Sequence, residues 1–159
     1  MARQITVNEE TKVLVFDMDG TIADLYGVEN WLPKLRAYDP TPYATATPLF
    51  DMVELVATLK ELQKIGYIIA ITSWLSLDAT NEYNKAVRKA KKEWLENYNF
   101  PYDEIHLVKY GTTKANCTRH LGGTQILFDD SEVVRNGWSL GAVVNPTETN
   151  IIDYLKALL

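Results

Sequence analysis

The stretch KVLVFDMDGT, residues 12–21, decides the fold and carries the first candidate site. Its apolar run is typical of a buried strand and ends abruptly in Asp17 and Asp19, followed by Gly20 and Thr21. Side chains two positions apart in a strand point to the same side, which at the carboxyl end of a parallel strand faces the ligand crevice. Two carboxylates this close repel each other unless a cation lies between them or one keeps a proton. The motif favours a divalent-metal site, a nucleophile paired with an acid, or both; the alternative is a polar turn.

The composition predicts a small protein without a broad nucleic-acid surface. The length of 159 residues favours a single domain spanning residues 1–159, and a hydrophobic content of 47% is enough for a buried core. A net charge of -5 argues against nucleic-acid partners, because phosphate binding needs clustered Lys and Arg. One cysteine, Cys117, excludes an internal disulfide. Without a signal-peptide core or a membrane-spanning run, we expect a cytoplasmic protein with no membrane partner.

Short apolar runs alternate with helical patterns along the chain. The predicted strands are Lys12–Phe16, Tyr67–Thr72, Glu104–Val108, Gln125–Phe128 and Ala142–Val144. Their short, non-alternating pattern is expected of strands buried on both faces. Helices are predicted from Asp51, from Asp78, over about 113–121 and from about 147. The alternation predicts an α/β fold with three α/β/α layers, a Rossmann-like, five-stranded parallel sheet with helices on both sides.

The helix predicted from Asp78 carries a run of basic residues, interpreted as a solvated face with a nucleic-acid surface as the alternative. These residues are Lys85, Arg88, Lys89, Lys91 and Lys92.

An insertion at residues 22–50 separates the first strand from the first long helix. It is too long for an ordinary connection, and such segments are often lids or binding loops. Its aromatic residues either stack on a base or sugar of the substrate or form a small core of their own; they are Tyr26, Trp31, Tyr38 and Tyr43.

Polar residues follow two further strands and open a helix. Thr72-Ser73 ends the second strand, Asp129-Asp130 ends the fourth, and Lys114 lies at the start of the third helix. In a parallel sheet these groups meet at one edge. Each has a simpler interpretation: a helix cap for the hydroxyls, a turn for the acids, and a surface position for the lysine. Lys109 competes with Lys114, which we prefer because a helix N-terminus adds backbone donors for phosphate.

Phosphoryl transfer needs this set of groups. A carboxylate can attack phosphorus, a second acid can protonate the leaving oxygen, and Mg²⁺ prefers carboxylate ligands. A lysine and a hydroxyl can hold the phosphoryl oxygens. His106 and His120 show no ligand spacing and are interpreted as structural or surface residues.

These motifs resemble those of the haloacid dehalogenase (HAD) superfamily, in its phosphatase branch. The chain matches DxDGT at residues 17–21, the Thr of the second motif at Thr72, the lysine of the third at Lys114, and the acidic pair of the fourth at 129–130. The resemblance covers nearly the whole chain and implies a HAD fold whose small cap or flap is the insertion at residues 22–50.

The resemblance also implies roles for the matched residues. Asp17 would be the nucleophile, Asp19 the general acid and base, and both would ligate Mg²⁺, Asp19 through its backbone carbonyl. Asp129 would complete the metal site, and Asp130 would support that site or the lysine. The residues implied to bind the phosphoryl group are Thr72, Ser73 and Lys114.

The predicted function is therefore Mg²⁺-dependent hydrolysis of a small phosphorylated substrate. The stretches DGTIAD and ITSW are similar to those of 5′(3′)-deoxyribonucleotidase-like members, which favours a nucleotide, although those relatives have larger caps. Two alternatives stay open: a catalytically silent binding or regulatory module, and a phosphatase for nucleic-acid ends. The sequence also leaves open whether the chain forms a homo-oligomer.

Overall fold

The computed structural model describes residues 3–159 as an α/β structure with a five-stranded central sheet. The strands are β1 (Lys12–Phe16), β2 (Ala23–Asp24), β3 (Thr47–Pro48), β4 (Tyr67–Trp74), β5 (Glu104–Val108), β6 (Thr124–Phe128) and β7 (Val143–Val144). The helices are α1 (Trp31–Arg36), α2 (Thr41–Thr45), α3 (Met52–Lys64), α4 (Asn81–Asn97), α5 (Ala115–Thr118), α6 (Glu132–Asn136) and α7 (Ile151–Lys156). Two 3₁₀ turns lie at Leu25–Gly27 and Arg119–Leu121.

The central sheet has the strand order β5-β4-β1-β6-β7, and all its pairs are parallel. Phe16 pairs with Ile71 of β4 and with Phe128 of β6. Residues that follow these three positions therefore lie level at the carboxyl edge of the sheet. This confirms the predicted parallel α/β sheet and the edge to which the candidate residues were assigned.

The two faces of β1 are buried in different parts of the core. Leu14 and Phe16 pack in the cluster that includes α3 and α7, whereas Val13 and Val15 pack in the cluster on the opposite face. All four side chains are fully buried. Burial on both faces explains why this strand is apolar at every position rather than at alternate ones.

Side-chain caps fix the helix starts, which differ in places from the predicted ones. Asp51 caps α3 by accepting from the Glu54 amide, as predicted for a helix beginning there. Thr80 caps α4, so that helix begins at Asn81 rather than at Asp78. Asn150 caps α7, which begins later than predicted. The predicted helix at 113–121 is α5 followed by a 3₁₀ turn.

The insertion at residues 22–50 folds against α4. Its ends are joined by the antiparallel pair β2–β3, in which Ala23 faces Pro48. Between them, Trp31 and Tyr43 pack with Tyr83 of α4 in a small apolar cluster. The segment therefore lies beside the carboxyl edge of the sheet.

No helix within residues 3–159 has the length and apolar character needed to cross a membrane.

Candidate active site

The turn after β1 depends on a glycine. Gly20 has a φ of +78°, and a Cβ there would lie 2.2 Å from Oδ2 of Asp130. The carbonyl of Met18 accepts the amides of Thr21 and Ile22 and closes the turn. A side chain at position 20 would therefore strain the backbone and displace an acid of the site.

Three predicted site residues share one face of the sheet. Asp17 continues the side-chain alternation of Val13 and Val15. Thr72 in β4 and Asp129 just after β6 are level with Asp17 in the sheet. The residues two positions before them, Ala70 and Leu127, pack on the same face as Val15. Because α5 packs on this face, the lysine that precedes it reaches the same place. The alternation of strand side chains thus brings four chain segments together.

Lys114 lies between two acids at the centre of the site. Its Nζ donates to Oδ1 of Asp17 at 2.9 Å and to Oδ2 of Asp129 at 2.7 Å. The residue is only 5% exposed, whereas Lys109 is exposed. Burial alone lowers the pKa of Lys114, but the two carboxylates raise it above its usual value. Of the two lysines considered from the sequence, the structure brings Lys114 to the acids.

Three carboxylates have the arrangement of a metal site. Oxygen atoms of Asp17, Asp129 and Asp130 lie within 4.8 Å of one another. Burial, followed by the charge of Asp17, raises the pKa of both Asp129 and Asp130. A cation that neutralises this charge would stabilise the ionised cluster, and an all-oxygen donor set fits Mg²⁺.

Thr21 is a site residue to which the sequence analysis assigned no role. It is fully buried, and its hydroxyl donates to Oδ2 of Asp17 at 3.0 Å. The same hydroxyl accepts the Asp130 amide at 3.2 Å. Thr21 therefore ties the first acidic motif to the last. Thr21 is the last residue of the DxDGT motif, which is the sequence feature that could have identified it as a site residue.

Two neighbouring hydroxyls on β4 have different surroundings. Ser73 Oγ accepts from Lys91 at 2.7 Å. Thr72 Oγ1 is fully buried and has no hydrogen-bond partner within residues 3–159. A buried hydroxyl without a partner is costly, and Thr72 is level with Asp17 in the sheet.

The interpretation of Lys91 as part of a solvated basic face was wrong. Lys91 is 1% exposed, and its Nζ donates to Oδ2 of Asp19 at 2.9 Å and to the Trp74 carbonyl at 2.7 Å. The ammonium also lies 4.9 Å from the centre of the Tyr43 ring. Position 91 lies one helical turn from both Val87 and Leu95, which are fully buried, so α4 directs it inward. That spacing was the signal that could have identified it.

The two acids of the first motif are thus paired with different lysines. Asp17 contacts Lys114, whereas Asp19 contacts Lys91. Burial raises the pKa of Asp19, and the charge of Asp17 adds to this effect while Lys91 opposes it. A carboxyl group with a raised pKa holds a proton more readily than an ordinary one, which suits an acid that must give up and regain a proton.

A pocket of about 560 Å³ opens above these acids. Its floor is polar and its walls are largely aromatic and aliphatic; the aromatic wall residues are Tyr26, Trp31, Tyr38, Tyr43, Trp74 and Tyr110. Trp31 and Tyr43 also belong to the small cluster against α4, so they serve both as core and as wall. Asp24 does not line the pocket; its carboxylate caps a 3₁₀ turn by accepting the Gly27 amide.

Comparison with known proteins shows the fold. No family model and no curated protein matches the chain. A Mesorhizobium loti protein classed with the HAD-like phosphatases is 12% identical, with 99% of this chain and 89% of that one covered and a TM-score of 0.58. The HAD domain of the effector protein Lem4 from Legionella pneumophila is 18% identical, with 95% of each chain covered and a TM-score of 0.49. The first likeness confirms the predicted HAD-like fold and leaves activity and substrate to be argued from the site.

Proposed function

We propose that this chain, which has the HAD fold, is a Mg²⁺-dependent phosphomonoester hydrolase that works through an aspartyl-phosphate on Asp17. The observation that carries the proposal is the pairing of the two acids with separate lysines. Lys114 contacts Asp17 and Asp129, while Lys91 contacts Asp19. One acid is thereby held for attack, and the other is held apart from it for proton transfer.

In the first half of the proposed reaction, a carboxylate oxygen of Asp17 forms a bond to phosphorus. The bond from phosphorus to the leaving oxygen breaks, and Asp19 gives that oxygen its proton. Lys114 and the free hydroxyl of Thr72 bind the phosphoryl oxygens. A Mg²⁺ ion held by the carboxylates of Asp17 and Asp129 and the backbone carbonyl of Asp19, with Asp130 beside them, would neutralise charge between the nucleophile and the phosphoryl group.

In the second half, Asp19 accepts a proton from water, whose oxygen attacks phosphorus. The bond between phosphorus and Asp17 breaks, which releases inorganic phosphate and restores the carboxylate. Lys91 keeps the carboxylate of Asp19 in place through both steps, because its Nζ is itself fixed by Ser73 and the Trp74 carbonyl. The proton that Asp19 takes from water replaces the one it gave to the leaving group, so the site is ready for the next cycle.

A nucleotide or another small metabolite with a flat or apolar leaving group fits the pocket. About 560 Å³ of space above the acids accommodates a ligand of that size. The wall includes Tyr26 and Tyr38, each 51% exposed, on which a base could stack. This supports the preference for nucleoside monophosphates within the broader class of small phosphomonoesters.

The test is phosphate release from a panel of nucleoside monophosphates, sugar phosphates and 5′- or 3′-phosphorylated oligonucleotides, with Mg²⁺ or with EDTA. We expect release with Mg²⁺ that is absent in EDTA and absent in Asp17→Asn. Asp153→Asn, an exposed acid on α7, is the matched control and should behave like the wild type. Circular dichroism verifies that both variants are folded.

Two results would overturn the proposal. Equal release by Asp17→Asn would exclude Asp17 as the nucleophile. A wild-type protein that binds Mg²⁺ but releases phosphate from no compound of the panel would favour the binding module. Selective release from oligonucleotide ends would keep the chemistry and replace the small substrate.

A further inference from the structure

The two histidines of the chain meet at one carboxylate. His106 lies on β5 and His120 in the 3₁₀ turn at Arg119–Leu121, yet the Nε2 atoms of both contact Glu104. The distances to Oε1 are 2.8 Å from His106 and 2.9 Å from His120. Their separation in sequence shows no ligand spacing, and both were interpreted as structural or surface residues; the structure brings them to the same carboxylate.

The fold explains the convergence. Glu104 and His106 are two positions apart on β5, so their side chains share a face. They pair with Ala70 and Thr72 of β4, whose face is the one packed by Leu121 of the 3₁₀ turn. Because β5 is at the edge of the sheet, solvent reaches the cluster: the side chains of Glu104, His106 and His120 are 24%, 26% and 55% exposed.

We propose that Glu104, His106 and His120 form a second metal site, for a divalent transition metal of the Zn²⁺ class. Their three ligand atoms lie within 4.8 Å of one another. Two imidazoles and a carboxylate are typical zinc ligands, and three protein ligands leave a fourth position for water. A metal ion at their centre replaces the shared hydrogen bonds with coordinate bonds.

The donor chemistry distinguishes this site from the active site. The active-site cluster offers carboxylate oxygens alone, which suit Mg²⁺. Imidazole nitrogen instead favours Zn²⁺, Co²⁺, Ni²⁺ or Cu²⁺. Glu104 adds one carboxylate oxygen to the two imidazole nitrogens.

The proposed ion would have a structural role. It would join the edge strand to the end of the segment between β5 and β6, which also supplies Lys114. The expected effect of Zn²⁺ is therefore a higher unfolding temperature, because an ion that binds only the folded chain stabilises it.

The experiment is a Zn²⁺ titration of the full-length chain in saturating Mg²⁺, followed through the imidazole ¹⁵N resonances. With only two histidines in the chain, each resonance is assigned by one variant. We expect the Nε2 resonances of both residues to shift together at one equivalent of Zn²⁺ and not to respond to Mg²⁺. Calorimetry on the same samples gives the affinity.

Matched variants separate the two sites. His120→Gln should weaken Zn²⁺ binding at least about tenfold, because even the loss of an outer partner of a metal ligand costs that much. At one equivalent of Zn²⁺ it should also reduce the rise in unfolding temperature. Arg119→Ala, the exposed neighbour, should do neither. The proposal is overturned if both histidine resonances stay unchanged, if Zn²⁺ binds only weakly and equally to all variants, or if Asp129→Asn rather than His120→Gln removes the binding.

Discussion

At the scale of single residues, Lys114 is central to the site because it contacts two acids at the carboxyl edge of the sheet. The sequence predicted which residues gather at the carboxyl edge, because strand ends in a parallel sheet share one edge whatever the loops do. It favoured Lys114 over Lys109 without excluding Lys109, since the position of each lysine depends on the path of the segment after β5. The structure brings Lys114 between Asp17 and Asp129.

Lys114→Met should abolish phosphate release and destabilise the protein in EDTA. Removing the ammonium leaves Asp17 and Asp129 buried and facing each other, and breaking a buried ion pair typically costs about 3–5 kcal/mol. Urea unfolding measures the stability and phosphate release the activity. Lys109→Met is the control, with little change expected in either. A variant at Lys114 that keeps full activity would exclude its proposed role.

Lys91→Met should lower kcat by about 100-fold or more, the usual contribution of acid–base catalysis, with a smaller change in KM. The reason is that Asp19 would lose the group that holds its carboxylate, while Lys114, which contacts Asp17 and Asp129 rather than Lys91, would still bind phosphate. Lys92→Met, at the exposed neighbouring position, is the control. If kcat is unchanged in a folded Lys91→Met protein, Lys91 has no part in positioning the acid.

At the scale of elements, the long helices and central strands were predictable and the insertion was not. The stripes of α3 and α4 repeat over 13 and 17 residues, which is enough for a clear helical period. The strands β2 and β3 have two residues each and therefore no period. The burial of Lys91 was missed because the lysines around it suggested a solvated face. Its spacing of four residues from both Val87 and Leu95 indicates a core position.

Tyr38→Ala should raise KM for a nucleoside monophosphate by about 5- to 100-fold, the range expected when a base loses one aromatic partner. Tyr38 is half-exposed and lines the pocket, so its loss should cost binding rather than folding. Acetyl phosphate, which has no base, should show little change. Tyr38→Phe keeps the ring and should retain most of the affinity. Equal effects on both substrates would exclude stacking at this position.

At the scale of the whole molecule, the raised pKa values of Asp129 and Asp130 make stability depend on pH and on metal. Between the unfolded pKa of about 4 and the raised folded pKa, the folded protein binds more protons than the unfolded chain. Stability in EDTA should therefore fall as pH rises through this window. Below the unfolded pKa both states are protonated, and the contribution no longer changes with pH.

Urea unfolding at pH 5 and pH 8 measures this dependence, and Mg²⁺ should remove most of it by stabilising the ionised carboxylates. Asp130→Asn should reduce the difference between the two pH values in EDTA. Stability in EDTA that rises with pH and is identical in Asp130→Asn would show that the acidic cluster does not control it.

The central claim is that Asp17 carries the phosphoryl group during turnover, and acid-quenched mass spectrometry tests it most directly. The protein is mixed with Mg²⁺ and the best substrate of the panel, quenched within one turnover, and digested. The peptide containing residue 17 should carry one phosphoryl group in the wild type and none in Asp17→Asn. With acetyl phosphate, whose leaving group needs no proton, more of the phosphorylated peptide should accumulate in Asp19→Asn, where attack by water lacks its base. A wild-type protein that releases phosphate while this peptide stays unmodified in both the wild type and Asp19→Asn would contradict the claim.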